Sequence, residues 1–394
     1  MKNVVLFKGG IETLDFFSNE LAKSFTEMGY KTFIFDMSNQ FDSFTELLSF
    51  CKKDETIMIT FNFIGLSGEN VFNNRRKLFF DEYNIRCINI VVDHPFYYHK
   101  NYFHLPRNYI QFCIDRTHIE YMKRFYKTVE IGPFLPLAGS YSSISIPQET
   151  YTHNEQFANR KYDIVFLGNY TPPSHFEPEI TRLEDDYTIF YRDIIDDLIL
   201  NPEQTIDSVF EKHLISSIPD ISDSDLDMCM SNMIFIDLYI RFYMRGKVIK
   251  TLVDNGIKIH VFGNGLNLQS YRYPENLILH GGVDSDTCLK MLYDSKISLN
   301  VMPWFKDGAH DRIFNSAING AVNLTDTSIY LKELFDNKNA LKFYSLRKIS
   351  DLPNIANTLL SNPDKLFEMS QNAYQITKQL HMWMNRALLI KEYF

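Results

Sequence analysis

The chain has 394 residues, 45% of them hydrophobic and 23% charged, with a formal net charge of −9 at pH 7. That length exceeds one ordinary core and makes two domains the natural prior. The negative net charge, with no long Lys/Arg block, argues against a nucleic-acid binder relying on phosphate neutralisation.

Five scattered cysteines, Cys51, Cys87, Cys113, Cys229 and Cys288, form no CxxC pair. This fits a reducing compartment better than a disulfide framework or a zinc site. Phe (33) and Tyr (23) are abundant, and ordinary core filling accounts for them better than a sugar-stacking platform. The first residues run straight into a strand, without a signal peptide's apolar region, and no apolar run approaches the ~20 residues of a spanning helix. The expectation is a cytoplasmic protein with at most peripheral membrane association.

In chain order, Val4–Phe7 reads as a strand and Gly9-Gly10 as a tight turn. Leu14, Phe17, Leu21 and Phe25 recur at helical spacing, Gly29 ends that helix, and Lys31–Asp36 resumes an extended run. Strand, helix, strand in this order is what a parallel βαβ unit requires. Thr56–Asn62, Cys87–Val92 and Tyr109–Ile114 continue the alternation as apolar strands of a sheet covered on both faces. Residues 139–160 turn polar and read as a boundary, after which 162–170 restart the strand-then-Gly pattern. Residues 178–256 are largely helical and rich in acids. Strands then follow at 258–265, 276–282 and 296–303, with helices Asp286–Tyr293 and Asp311–Ile318 and one or two more from Pro363 onward.

Open parallel sheets bind ligands beyond the carboxyl ends of their strands, so the strand-to-helix junctions carry the candidates. The loop before Asp311 holds Lys306, Asp307, Gly308 and His310, with Arg312 on the first helical turn. Gly308 allows close backbone approach, and Lys306 and Arg312 offer charge-assisted bonds to a diphosphate. A carboxylate cap by Arg312 and a satisfied loop histidine are the competing reading.

The run Gly308, His310, Asp311, Arg312, Phe314, Asn315, Ser316, Gly320, Ala321, Leu324, Thr325, Asp326 resembles the C-terminal signature of group 1 glycosyltransferases, particularly the branch of the CgeB spore-maturation proteins. Residues 162–170 (YDIVFLGNY) resemble the opening of that family's C-terminal domain, and 381–387 (HMWMNRA) its closing helix. The resemblance implies a GT-B fold: two Rossmann-like, doubly wound parallel-sheet α/β domains facing a cleft. It implies an acceptor-side domain over 1–150 and a nucleotide-sugar domain over 151–375 with a helical insert at about 178–250. Residues 376–394 would form a helix crossing back to the first domain.

It further implies a donor such as a UDP-, GDP- or TDP-sugar, no other cofactor, a glycan or protein acceptor, and no obligatory metal. Gly168, Asn169 and Tyr170 would face the donor's phosphates or sugar, Gly263 and Asn264 its base or ribose, and Val283 the base edge. Plain glycine turns remain the alternative at each. Two Glu with seven residues between them flank this loop in the family's retaining branch; here Asp307 and Asn315 stand in that frame, which leaves the stereochemical outcome open.

In the first half, Asp93 and His94 end a buried strand and are placed to deprotonate an acceptor hydroxyl, or else to cap and pack the next segment. Asp284-x-Asp286 precedes a helix and reads as an N-cap rather than a metal pair. A nucleotide-sugar epimerase of the same fold and a non-catalytic, spore-associated carbohydrate binder are the competing functions.

Overall fold

The computed structural model describes residues 2–74, 77–144 and 157–394. Part of the polar boundary expected at 139–160 therefore lies outside the described residues. Contacts divide the chain into two units, one of Met1–Ala138 with His381–Phe394 and the other of Gly139–Leu380.

The first unit is built on a five-stranded sheet of β1 (Asn3–Lys8), β2 (Lys31–Asp36), β3 (Thr56–Phe61), β6 (Arg86–Val91) and β7 (Tyr109–Cys113). Their order is β2-β1-β3-β6-β7, all parallel, and a two-residue hairpin, β4 (Asn73–Asn74) with β5 (Lys77–Leu78), stands apart. Helix α1 (Glu12–Glu27) buries Leu14, Phe17, Leu21 and Phe25, the stripe legible in the sequence. Further helices are α2 (Gln40–Phe50), α3 (Phe79–Glu82) and α4 (Arg116–Phe125). Phe7, Phe35, Phe72 and Phe80 form a chain of rings with centroids 5.0–5.6 Å apart, so much of the aromatic excess is core. Each buried ring contributes about 1.5–3 kcal/mol by leaving water.

The last helix, Trp383–Ile390, belongs to this unit. Trp383 packs on Phe17 at 5.3 Å, and Arg386 donates from Nη2 to the Leu137 carbonyl at 2.9 Å and to His381 Nδ1 at 2.6 Å. The closing His–Trp–Arg motif is thus a fastening between the chain end and the rest of the unit.

The second unit holds six parallel strands in the order β10-β9-β8-β11-β12-β13. These are β8 (Tyr162–Leu167), β9 (Ile259–Phe262), β10 (Leu277–Leu279), β11 (Ser295–Asn300), β12 (Val322–Thr325) and β13 (Lys342–Phe343). The order runs outward from β8 in both directions, so the connection reverses between β8 and β11. Ligands bind at such a switch point. Five helices lie between β8 and β9: α5 (Glu177–Thr181), α6 (Asp185–Leu200), α7 (Ile206–Ser217), α8 (Asp223–Ser231) and α9 (Ile234–Val253). After β10 come α10 (Ser285–Tyr293), α11 (Asp311–Ile318), α12 (Ile329–Phe335), α13 (Leu352–Leu360) and α14 (Pro363–Leu380); Trp383–Ile390 is α15. Among the described residues no helix is long and apolar enough to cross a membrane.

Candidate functional site

The switch point of the second unit gathers the loop after β8, the loop after β11 and the N-terminus of α11. Gly168 follows β8, and a Cβ added there would lie 3.6 Å from both terminal nitrogens of Arg312, so the backbone and the guanidinium are neighbours. Gly263 follows β9 with φ +159, and a Cβ on it would come 2.1 Å from the Gly168 carbonyl oxygen. Only glycine permits that approach.

The strand-end loops are tied to each other by their asparagines. Asn169 Oδ1 accepts from Asn264 N at 2.9 Å, and Asn264 Oδ1 accepts from Gly282 N at 2.9 Å. Asn169 and Asn264 are thus the stays of the loop cluster. Tyr170 packs its ring against Gly246 and Phe242 of α9, and Val283 stands exposed just before the α10 cap.

Three guanidinium groups converge beside Gly168. Arg312 donates from Nη2 to His310 Nε2 at 3.0 Å, while Arg245, buried in α9, donates from Nη1 to the Asn169 carbonyl. Arg241, one turn earlier, pairs with Asp237 at 2.7 Å and lies 4.4 Å over the Trp304 ring. Burial, then the charges of Arg312 and Arg241, push the Arg245 pKa well below the usual arginine range. Burial likewise lowers Arg312, against the opposing pull of Asp311. Arg245 Nε and Arg312 Nη1 are buried without a hydrogen-bond partner among the described residues. Like charges brought together with unfilled donors are costly unless an anion completes them.

His310 joins this cluster through Asp311, whose carboxylate lies against Nδ1. The Arg312 backbone N–H also approaches Nδ1, at 3.3 Å. The two contacts ask opposite roles of that nitrogen. The shorter carboxylate contact, with Nε2 accepting from Arg312, assigns the proton to Nδ1. Burial and then Arg312 lower the His310 pKa, which keeps the ring neutral near pH 7.

Of the other expected donor residues, Lys306, Gly308 and Asn315 are engaged within the protein. Lys306 Nζ donates to the carbonyls of Pro202 and Pro303, and Gly308 accepts Ser328 Oγ through its carbonyl at 2.6 Å. Asp307 is half-buried in the same loop. Asn315 is buried: its Oδ1 accepts from Ser140 N at 2.9 Å and its Nδ2 donates to Asp311 Oδ2 at 2.9 Å. A ribose contact would have to displace one of these bonds. Asp284 Oδ1 accepts from Thr287 N at 2.8 Å, the cap expected for α10.

In the first unit, Asp93 is half-buried just beyond β6. Its Oδ2 accepts from Asn62 Nδ2 at 3.0 Å and Tyr98 Oη at 3.3 Å. His94 is buried, with its ring centroid 4.2–4.7 Å from those of Phe96, His118 and Tyr121. The N–H groups of Gly9 and Gly10 donate to the Asp15 carboxylate at 2.9 and 3.3 Å, so the turn after β1 is closed by its own helix. Arg241, Arg245 and Trp304 escaped the sequence reading. The arginines sit inside a helical pattern without a motif, and only their i, i+4 spacing hints at a shared face.

Residues 245–392 match the family model described as "Glycosyl transferase-like". No curated protein sequence matches the chain. Among solved structures, the chain is similar to sucrose-phosphate synthase from Thermosynechococcus elongatus, at TM-score 0.54 and 9% identity over 100% of this chain and 98% of that one. It is also similar to AviGT4, a glycosyltransferase involved in avilamycin A biosynthesis, at TM-score 0.52 and 9% identity over 100% and 97%. HepE of Anabaena in complex with UDP-glucose aligns at TM-score 0.51 and 9% identity over 99% and 98%. These neighbours show the GT-B fold in two parallel-sheet α/β units, and the matched segment, which holds Arg245 and Arg312, makes the chain an enzyme of the glycosyltransferase class.

Proposed function

We propose that this enzyme transfers a sugar from a nucleoside-diphosphate sugar to a hydroxyl acceptor, within the branch of group 1 enzymes related to the CgeB proteins. One observation carries the reading: two buried, unfilled guanidinium donors, Arg245 Nε and Arg312 Nη1, in a cluster of like charge beside the glycine of a switch-point loop. A diphosphate supplies the missing acceptors and the missing negative charge together. The solved complex of HepE with UDP-glucose supports the same ligand class.

In the reaction, the acceptor oxygen bonds to the anomeric carbon as the bond from that carbon to the diphosphate oxygen breaks. The electron pair leaves with the diphosphate, whose charge Arg245 and Arg312 stabilise in place of a metal. Asp93 takes the hydroxyl proton. It is the better base because His94 is enclosed by three rings whereas Asp93 is partly open.

The test is a panel of UDP-, GDP- and TDP-sugars, read by thermal shift and by release of nucleoside diphosphate. One of them should stabilise the protein and be slowly hydrolysed. In Asp93→Asn the same donor should bind with unchanged affinity while transfer is lost. If no donor binds or turns over, the proposal is wrong.

A further inference from the structure

We propose that a cavity wholly within the first unit is the acceptor subsite and that it takes a glycan bearing an acidic group; this rests on the transferase reading above. The cavity, of about 770 Å3, lies between the loop that leaves β3 and the 3-10 segment Pro95–Phe103 with the residues after it. Its size falls within the ~300–1,000 Å3 of small-molecule sites. Both walls follow the carboxyl ends of neighbouring inner strands, β3 and β6, where open parallel sheets take ligands.

The walls are built rather than incidental. Asn62 and Phe63, at the exit of β3, have φ of 49° and 62°, a conformation that non-glycine residues adopt at a cost. Phe63 N donates to Asn89 Oδ1 at 3.1 Å, and Asn62 donates to Asp93, so the strained exit is held from β6. Glu69 Oε1 and Oε2 accept from Gly65 N and Ser67 N at 3.0 and 2.9 Å, folding the loop on itself. Asn101 Nδ2 then donates to Ser67 Oγ at 3.1 Å and joins the two walls. Asp93 immediately precedes the second wall, and Tyr98 within that wall donates to it. The proposed base and the cavity therefore share one pair of segments.

The lining names the ligand. Phe103 is 65% exposed at the cavity, an aromatic face suited to the apolar side of a pyranose. Asn73 and Asn101 offer amides for ring hydroxyls. The Glu69 carboxylate is engaged by the loop's own N–H groups. Lys100, exposed at the same cavity, forms no ion pair with a described residue. A stacking ring, two amides and an unengaged ammonium fit a sugar with a carboxylate or phosphate.

The experiment is titration calorimetry of the full chain, without donor, against tri-galacturonate and against neutral galactotriose. Tri-galacturonate should bind more tightly. Phe103→Ala should weaken both ligands by about tenfold or more, whereas Lys100→Ala should remove the preference for the acidic one. Both side chains are exposed, so unchanged melting temperatures will show that folding is intact. The proposal is overturned if tri-galacturonate fails to bind at about 10 mM, if the neutral sugar binds equally, or if neither substitution matters. Donor hydrolysis, assayed separately, keeps the two readings apart. Hydrolysis without glycan binding sinks the subsite alone, and glycan binding without any donor turnover sinks the transferase reading.

Discussion

Arg245 is a residue whose surroundings are poor for stability and fit the proposed function. Its guanidinium is buried in α9 beside two others, and its Nε is unfilled. Arg245→Met keeps the aliphatic volume and removes one of three repelling charges. The unliganded protein should therefore melt at the same temperature or higher, since apolar replacement of a strained buried charge is neutral or stabilising. The same variant should bind UDP about 10- to 100-fold more weakly, the loss of one charge-assisted bond of roughly 1.5–3 kcal/mol. Calorimetry with a parallel melting curve reads both signs. A lower melting temperature with unchanged UDP affinity would assign Arg245 to structure alone. Asp326 carries a second charge argument. It is buried, accepting from Met302 N at 2.8 Å, and burial raises its pKa from 3.8 to about 6. A carboxyl whose folded pKa lies above its unfolded value binds protons more tightly when folded. Stability then falls as pH rises from about 4 to about 6, and the full penalty persists above. Asp326→Asn should stabilise the protein at pH 7 by roughly 3 kcal/mol or less and change little below pH 4. Denaturant melts at the two pH values check this. The sequence offered Arg312 through a motif, but a charge penalty such as that of Asp326 depends on what surrounds the side chain, which residue order alone does not express.

At the scale of one element, α11 serves two sides at once. His310 caps its start, Asp311 and Arg312 lie in its first turn, and Asn315 and the C-cap Asn319, four residues apart, face the segment at 140–142. Asn319 Oδ1 accepts from Ser142 N at 2.8 Å and its Nδ2 donates to the Ser140 carbonyl at 2.9 Å. Gly139 fits under the same helix only because it lacks a side chain, for a Cβ would fall 2.7 Å from the Phe314 carbonyl oxygen. Asn319→Ala orphans two buried backbone groups and should cost about 1–3 kcal/mol of stability. UDP affinity should be nearly unchanged, because the helix start is untouched; a melt combined with UDP titration tests the pair. The helix bounds Asp311–Ile318 were readable from the pattern. The duty of Asn315 was not. A family frame pointed it at a ribose, whereas its amide is taken by Ser140 N and Asp311. Spacing along a helix gives the face, and only the tertiary partner says what that face meets. Lys306 is a similar case: a lysine in a glycine loop suggests an anion, but its flexible stem folds back onto the carbonyls of Pro202 and Pro303.

Across the whole molecule, the strands of the first sheet stand within about a residue of the runs that announce them, whereas β8, β9, β10 and β11 end at Leu167, Phe262, Leu279 and Asn300, short of the expected 170, 265, 282 and 303, because the chain leaves the ladder there and turns into its loops. Less legible were β13, with only Lys342 and Phe343, and the split of the last part of the insert into α8 and α9 at Asn232-Met233. Short edges and helix-to-helix kinks leave little periodic trace. The two units own separate sheets, and the proposed donor cations Arg241, Arg245 and Arg312 all belong to the second. A diphosphate should accordingly stabilise that unit. A ligand that binds only the folded state adds about 2.7 kcal/mol at one hundred times its Kd. UDP should raise the unfolding temperature associated with the second unit, and uridine, which lacks the phosphates, should do so far less. If the neutralising charges are guanidinium groups, as proposed, EDTA should leave the UDP effect intact. Added salt should weaken it only slightly, because the buried guanidinium donors are screened much less than surface charges. Scanning calorimetry with UDP, with uridine and with UDP plus EDTA separates the possibilities. Stabilisation that vanishes with EDTA would mean that a metal, and not Arg245 and Arg312, carries the diphosphate.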